Sequence, residues 1–161
     1  MIVIIMGVVG AGKTTVGNLL ASQLGWEFAD ADDFHPLSNV EKIRHGIALT
    51  DEDREPWLDH LREAIVRWIA EGKSVVLACS ALKRAYRAKL LMGPQVQVVY
   101  LKGSAALIAD RLRSRHGHFA GESILASQLA DLEEPEKAIT VDIRDTPEQI
   151  VAEIERALAM E

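Results

Sequence analysis

Residues 2–14 read IVIIMGVVGAGKT, and this stretch decides the fold. Ile2–Met6 is an unbroken apolar run of strand length, suited to a strand buried on both faces. Gly7-Val8-Val9-Gly10-Ala11-Gly12-Lys13-Thr14 then matches G-x-x-x-x-G-K-[ST] at every fixed position. Glycines let the backbone turn its N–H groups inward around an oxyanion. The helix expected from Lys13 to about Leu24 presents its N-terminus, with free donors and a positive dipole end. Average composition produces this pattern by accident in under about 1% of chains this long. The strand before it and the helix pattern after it complete a P-loop. The reading is a site for a nucleoside triphosphate with Mg²⁺. Gly7, Val8, Val9, Gly10, Ala11, Gly12, Lys13, Thr14 and Thr15 form the cradle, Lys13 reaches the β- and γ-phosphates, and the Thr14 hydroxyl coordinates the metal.

Outward from this motif, strands and helices alternate. Further strands are expected at Trp26–Ala29, Ser74–Cys79, Gln97–Leu101 and Ala138–Asp142. Helices are expected at Trp57–Ile69, Arg84–Leu91 and Ala105–Arg115, and a last one is announced by Thr146-Pro147-Glu148-Gln149. That tetrapeptide puts Thr at the cap, Pro at the first helical position and Gln at the third. The pattern predicts an α/β domain with a five-stranded parallel sheet flanked by helices. The whole chain, 1–161, is read as one domain.

Composition narrows the function. The 161 residues are 48% hydrophobic and 26% charged, with a net charge of −6, so the balance runs against nucleic-acid binding. No apolar run is long enough to span a bilayer, and the N-terminal run lacks a basic leader and a cleavage site. The single Cys79 suits a reducing cytoplasm, and it is read as a small buried strand residue. No N-K-x-D guanine motif is present, and the third strand ends in Cys79-Ser80 rather than in an aspartate. Both features favour a small-molecule kinase over a switch or a motor.

In doubly wound folds, ligands collect at the carboxyl ends of the strands. Asp30 and Asp32 follow the second strand and therefore face the cradle. One carboxylate there can hold the water shell of Mg²⁺, and another can orient the attacking hydroxyl and take its proton. Asp33 also suits a helix cap. Lys83, Arg84 and Arg87 follow the third strand, where they either meet an anionic acceptor or form a solvated helix face. Ser80 either donates to the acceptor or caps the next helix. Arg111 and Arg115 lie four apart on one helix face, ahead of the glycine-containing run His116–Gly121, which reads as a hinge. An arginine delivered by a lid there would neutralise charge on the transferred phosphoryl group.

The chain resembles the thermoresistant-type gluconokinases, small P-loop kinases akin to shikimate and nucleoside-monophosphate kinases. The resemblance is carried by MGVVGAGKTTVG (6–17), DADDFHPLSNVEKIRHGIALTDEDREPWLDHL (30–61), CSALKRAYRAKL (79–90), VVYLKG (98–103), RHGHF (115–119) and SQLADLEEPE (127–136). It implies ATP-dependent phosphorylation of D-gluconate at its 6-hydroxyl, a substrate-binding insert at about 30–58, a lid at about 115–128, and a homodimer. Asp32 would then address the 6-hydroxyl and Asp30 the metal. His35, Arg54, Ser80, Lys83, Arg84, Arg87 and His118 would complete the acceptor pocket, and Arg111 and Arg115 would act on the phosphates. Trp57 neighbours the Arg54 contact, and the adenine is placed near Asp145-Thr146-Pro147. Shikimate kinase, a nucleoside-monophosphate kinase and a non-catalytic ATP sensor are the competing readings. The family pattern carries a bulkier apolar residue and a proline after His-Phe, where this chain has Ala120-Gly121-Glu122.

Overall fold

A computed structural model describes residues 1–116 and 120–159. The strands are β1 (Ile2–Met6), β2 (Glu27–Asp30), β3 (Val75–Ala78), β4 (Val96–Lys102) and β5 (Ile139–Asp142). They form a five-stranded sheet in the order β2-β3-β1-β4-β5, parallel at every pairing. β1 lies at the centre, and Asp30 and Ile5 are both level with Ala78. The P-loop after β1 and the acidic turn after β2 therefore leave the same edge of the sheet.

The helices are α1 (Lys13–Leu24), α2 (Leu37–Arg44), α3 (Asp51–Ala70), α4 (Arg84–Leu90), α5 (Ala105–His116), α6 (Ala120–Asp131) and α7 (Pro147–Ala159). Side chains alternate across β1 as a strand requires. Ile2, Ile4 and Met6 face a core built with Trp57, Leu61 and Ile65 of α3. Val3 and Ile5 face the opposite core, with Leu20 of α1, Ile108 of α5 and Val151 of α7. With a core on each face, every residue of β1 is buried, and this is why it reads as a continuous apolar run.

The expected strands and helices are present with ends shifted by a residue or so, apart from α3. That helix starts at Asp51, six residues before the expected Trp57. Residues 51–56 are polar and end in Pro56, so no apolar stripe marks them. Thr50 supplies what periodicity lacks. Its Oγ1 accepts from the Asp53 N–H at 3.1 Å, and the Thr50 N–H donates to Asp53 Oδ2 at 2.9 Å. This reciprocal capping box starts the helix upstream of the proline. The α7 cap follows expectation, with Gln149 N–H to Thr146 Oγ1 at 3.2 Å and Thr146 N–H to Gln149 Oε1 at 3.0 Å.

α2 carries no sequence signal, because its buried residue is the polar Asn39 while Leu37 is 82% exposed. Lys42 of α2 donates twice to Asp53, at 2.8 and 2.9 Å, and so docks α2 onto the start of α3. Asp53 thus closes the cap and anchors a second helix, and these partners hold its carboxyl down at about 2. Replacing Thr50 with Ala is expected to cost about 1 kcal/mol of unfolding free energy. Denaturant titration should show the loss, together with a Tm drop of roughly 2–4 °C.

Candidate active site

The nucleotide cradle is built by backbone conformation. Gly10 and Gly12 adopt φ of 82° and 96°, the left-handed region open to glycine. A Cβ on Gly10 would also lie 2.9 Å from Leu112. Gly12 caps α1 with no side-chain acceptor, so among the described residues the first N–H groups of α1 have no capping side chain and are available to an anion. Gly7, Val8 and Ala11 are buried within the loop, and the Ala11 N–H closes its turn on the Val8 carbonyl at 3.1 Å. Lys13 Nζ donates to the same carbonyl at 3.0 Å. Burial lowers its ammonium from the ordinary value, and the nearby Asp32, Cys79 and Asp30 work against that shift.

Thr14, Thr15, Asp30, Asp32 and Ser80 share one recess with Gly10, Gly12 and Lys13. Asp30 ends β2 and caps the short 3₁₀ turn Ala31–Phe34, accepting the Asp32 N–H at 2.9 Å. Asp30 therefore takes the capping position in this turn, and Asp33 does not. The Asp32 carboxylate opens onto the cleft, yet the surrounding protein raises it above the usual carboxylate range, and Asp30 raises it further. A carboxyl so shifted, beside a lysine, is suited to accepting a proton.

Next to this recess lies a cavity of about 170 Å³, bounded by Lys13, Asp32, His35, Arg54, Trp57 and Ser80. Trp57 Nε1 donates to the Ala31 carbonyl at 2.7 Å, fixing the turn that carries Asp32. Its ring stacks on His35 at 4.5 Å and 12°. The buried Asn39 donates its amide to the Asp53 carbonyl at 2.7 Å and to His35 Nδ1 at 3.1 Å. A carbonyl can only accept, so the Asn39 nitrogen is fixed there and His35 Nδ1 is left unprotonated. The His35 proton then sits on Nε2. Burial pushes the imidazole down to about 4, with help from Arg54, so it remains neutral near pH 7.

Arg54, only 8% exposed, reaches this cavity from α3. Its Nη1 donates to Tyr86 Oη at 2.9 Å and to Asp131 Oδ2 at 3.1 Å. The Tyr86 hydroxyl donates a short hydrogen bond to Asp51 Oδ1, and Lys83 Nζ donates to the same oxygen at 2.8 Å. One arm of the guanidinium is thereby fixed, on a residue that lines the cavity.

The cluster after β3 is corrected by its geometry. Arg87 is buried and donates to the carbonyls of Ala81, Leu82 and Glu133 at 2.8, 3.0 and 2.7 Å. Ala81 has φ of 44°, a strained value for a residue with a Cβ, so Arg87 clamps this turn and does not line the cavity. The Arg84 side chain is 75% exposed and lies 3.7 Å from Glu136, also away from the cavity. Lys83 is committed to Asp51 and is absent from the cavity wall. Ser80 lines the cavity and is not the cap of α4, a position taken by Lys83. Cys79 is buried, and burial lifts its thiol to about 12.

Arg111 borders a separate groove with Gly10, Gly12, Thr15, Asp145 and Pro147, and its Nη2 donates to the Ile143 carbonyl at 2.5 Å. The Arg115 side chain and His118 lie outside the described residues. Among the described residues, no cluster of three or more His, Cys, Asp or Glu could hold a metal ion. Sequence reasoning missed Asn39, Tyr86, Asp131 and Gln128. Gln128 Oε1 accepts the Val9 N–H at 2.6 Å across the cleft. Each acts through a partner distant in the chain, so local pattern carries no signal for it.

A P-loop beside a cavity holding a carboxylate, a neutral histidine and a buried guanidinium defines a small-molecule kinase. The shikimate kinase family model matches residues 9–159. A probable gluconokinase of Xenopus tropicalis is 47% identical over 174 aligned positions, covering 96% of this chain and 92% of that protein. The thermoresistant gluconokinase of Escherichia coli K12 is 40% identical, covering 94% of this chain and 89% of that protein. The crystal structure of a gluconokinase from Sinorhizobium meliloti 1021 superposes with a TM-score of 0.89 at 40% identity, covering 98% of this chain and 91% of that one. The chain belongs to the gluconokinase family, within the wider shikimate kinase family.

The depressed His35 pKa fixes a sign. Between pH 6.5 and about 4 the unfolded chain takes up a proton at His35 that the folded protein refuses. The contribution of His35 to stability is full above pH 6.5 and is lost as pH falls through this window. Thermal unfolding of His35→Gln should therefore show a shallower Tm decline than wild type from pH 6.5 to 4, and parallel declines would refute this.

Proposed function

We propose that this protein transfers the γ-phosphoryl group of ATP to the 6-hydroxyl of D-gluconate, giving 6-phosphogluconate and ADP. The observation that carries the reading is that Lys13 and Asp32 border both the P-loop recess and the cavity holding Arg54. Gluconate needs both ends of that arrangement. Its carboxylate is matched by the open edge of the Arg54 fork, a planar donor pair suited to a carboxylate. His35 Nε2–H and the Ser80 hydroxyl can donate to the polyol chain between.

At the other end, Asp32 orients the terminal hydroxyl toward the γ-phosphorus. As the oxygen–phosphorus bond forms and the bond to ADP breaks, the hydroxyl proton passes to Asp32. Lys13 and the α1 N–H groups spread the charge of the phosphoryl oxygens. The triphosphate lies on Gly10, Gly12, Thr14 and Thr15, with the adenosine in the groove walled by Arg111, Asp145 and Pro147. Thr14 and Asp30 suit Mg²⁺, which takes few protein ligands and keeps water and phosphate oxygens, so a sparse donor set is enough. The ion would supply charge neutralisation at the phosphates.

The segment 30–58 serves as the acceptor insert and 115–128 as a lid over the phosphates, all within one domain 1–161. Cytoplasmic residence, which the single cysteine suits, and a homodimer, which the family resemblance implies, belong to the same proposal.

The test is ADP release with ATP and Mg²⁺ against gluconate, shikimate, AMP and CMP in turn. Release with gluconate alone is expected, and equal release without any acceptor would reject the proposal. Lys13→Ala should abolish turnover. Asp32→Asn should lower kcat by more than about 10²-fold, the usual scale for losing a general base. Near-normal turnover in that variant would remove Asp32 from its role.

A further inference from the structure

α6 delivers two polar side chains across the cleft, three residues apart. Asp131 holds Arg54, and Gln128 holds the P-loop. The Gln128 contact fixes more than a distance. A backbone N–H can only donate, so the atom 2.6 Å from Val9 N must be the amide oxygen. The amide nitrogen then lies on the far side of the planar group, carrying two hydrogens.

Gln128 lines the same cavity as Asp32, His35 and Arg54, and so does Ile124 one turn earlier. That face of α6 therefore fronts the acceptor space. Among the described residues, the Gln128 nitrogen has no hydrogen-bond partner, and no side-chain nitrogen or oxygen is buried without one. Its two donors are therefore not buried, on a residue that lines the cavity. Val9 belongs to the loop that receives the phosphates, so these donors sit at the reacting end of the cavity.

We propose that Gln128 is an acceptor-binding residue. Its amide oxygen stays on the Val9 N–H, and its amide nitrogen donates to a hydroxyl oxygen next to the reacting one, on carbon 5 of the sugar acid. The phosphate loop itself thereby sets the register of the acceptor chain. This assignment rests on the gluconate-kinase reading. The neutral amide suits the place, since it adds a donor for a hydroxyl without placing a negative charge beside the phosphates.

Steady-state kinetics of wild type, Gln128→Ala and Gln128→Glu with gluconate and with 5-deoxygluconate test it. Glutamate keeps an oxygen for the Val9 N–H but lacks the donors. Both variants should lose about tenfold or more in kcat/KM for gluconate, the scale of one hydrogen bond to substrate. With 5-deoxygluconate, wild type and Gln128→Ala should agree within about twofold, since the partner hydroxyl is gone. A Glu variant with wild-type kcat/KM for gluconate would overturn the assignment, because an acceptor for Val9 would then suffice. An undiminished Ala defect with 5-deoxygluconate would overturn it as a loop-packing effect. Tighter ATP binding by the Ala variant with gluconate kinetics unchanged would overturn it too, marking Gln128 as a plug of the empty loop. Wild-type protein inert toward gluconate would overturn the kinase reading itself and this assignment with it.

Discussion

The structure depends on a helix that begins without a cap. α1 starts at Gly12, whose left-handed backbone offers no side-chain acceptor to the first turn. In most helices those N–H groups are satisfied locally. Here they are left for a phosphate. Leaving donors unpaired is tolerable because they face the cleft, where solvent or an anion meets them. β1, buried on both faces, holds the loop at the centre of the sheet, so the nest cannot drift relative to the neighbouring strand ends.

The cavity beside the P-loop follows a different logic. Its groups are fixed through side-chain hydrogen bonds, most of them between elements far apart in the chain. Trp57 fixes the turn bearing Asp32, Asn39 fixes the tautomer of His35, and Tyr86 with Asp131 fixes one arm of Arg54. A charged group as buried as Arg54 would be costly if unpaired, and Asp131 with the Tyr86 hydroxyl and ring offsets that cost. Because Asp131 and Gln128 share α6, that one helix touches both Arg54 and the P-loop.

The positions of the strands and of most helices were legible because burial is periodic. β1 and β3 show as apolar runs, and α3 shows as a stripe from Trp57 onward. The first six residues of α3 were hidden, since a capping box and a proline leave no hydrophobic period. α2 was hidden for a related reason: it is held by Asn39 and by the Lys42–Asp53 pair rather than by an apolar face. The basic run Lys83–Arg87 misled most. Placement after β3 suggested an acceptor-binding cluster, yet Arg87 holds a strained turn, Arg84 lies in solvent and Lys83 pairs with Asp51.

By itself the sequence determined the phosphate cradle, the parallel sheet and the side of the sheet on which chemistry occurs. Those features are written in residues adjacent along the chain: glycines that permit a left-handed turn, and an apolar strand that must be buried. Only the tertiary structure decided which cations line the cavity, which nitrogen of His35 carries the proton, and that Gln128 spans from α6 to the loop. These depend on hydrogen-bond partners brought together by folding, and a side chain's free donors are known only once its occupied ones are counted.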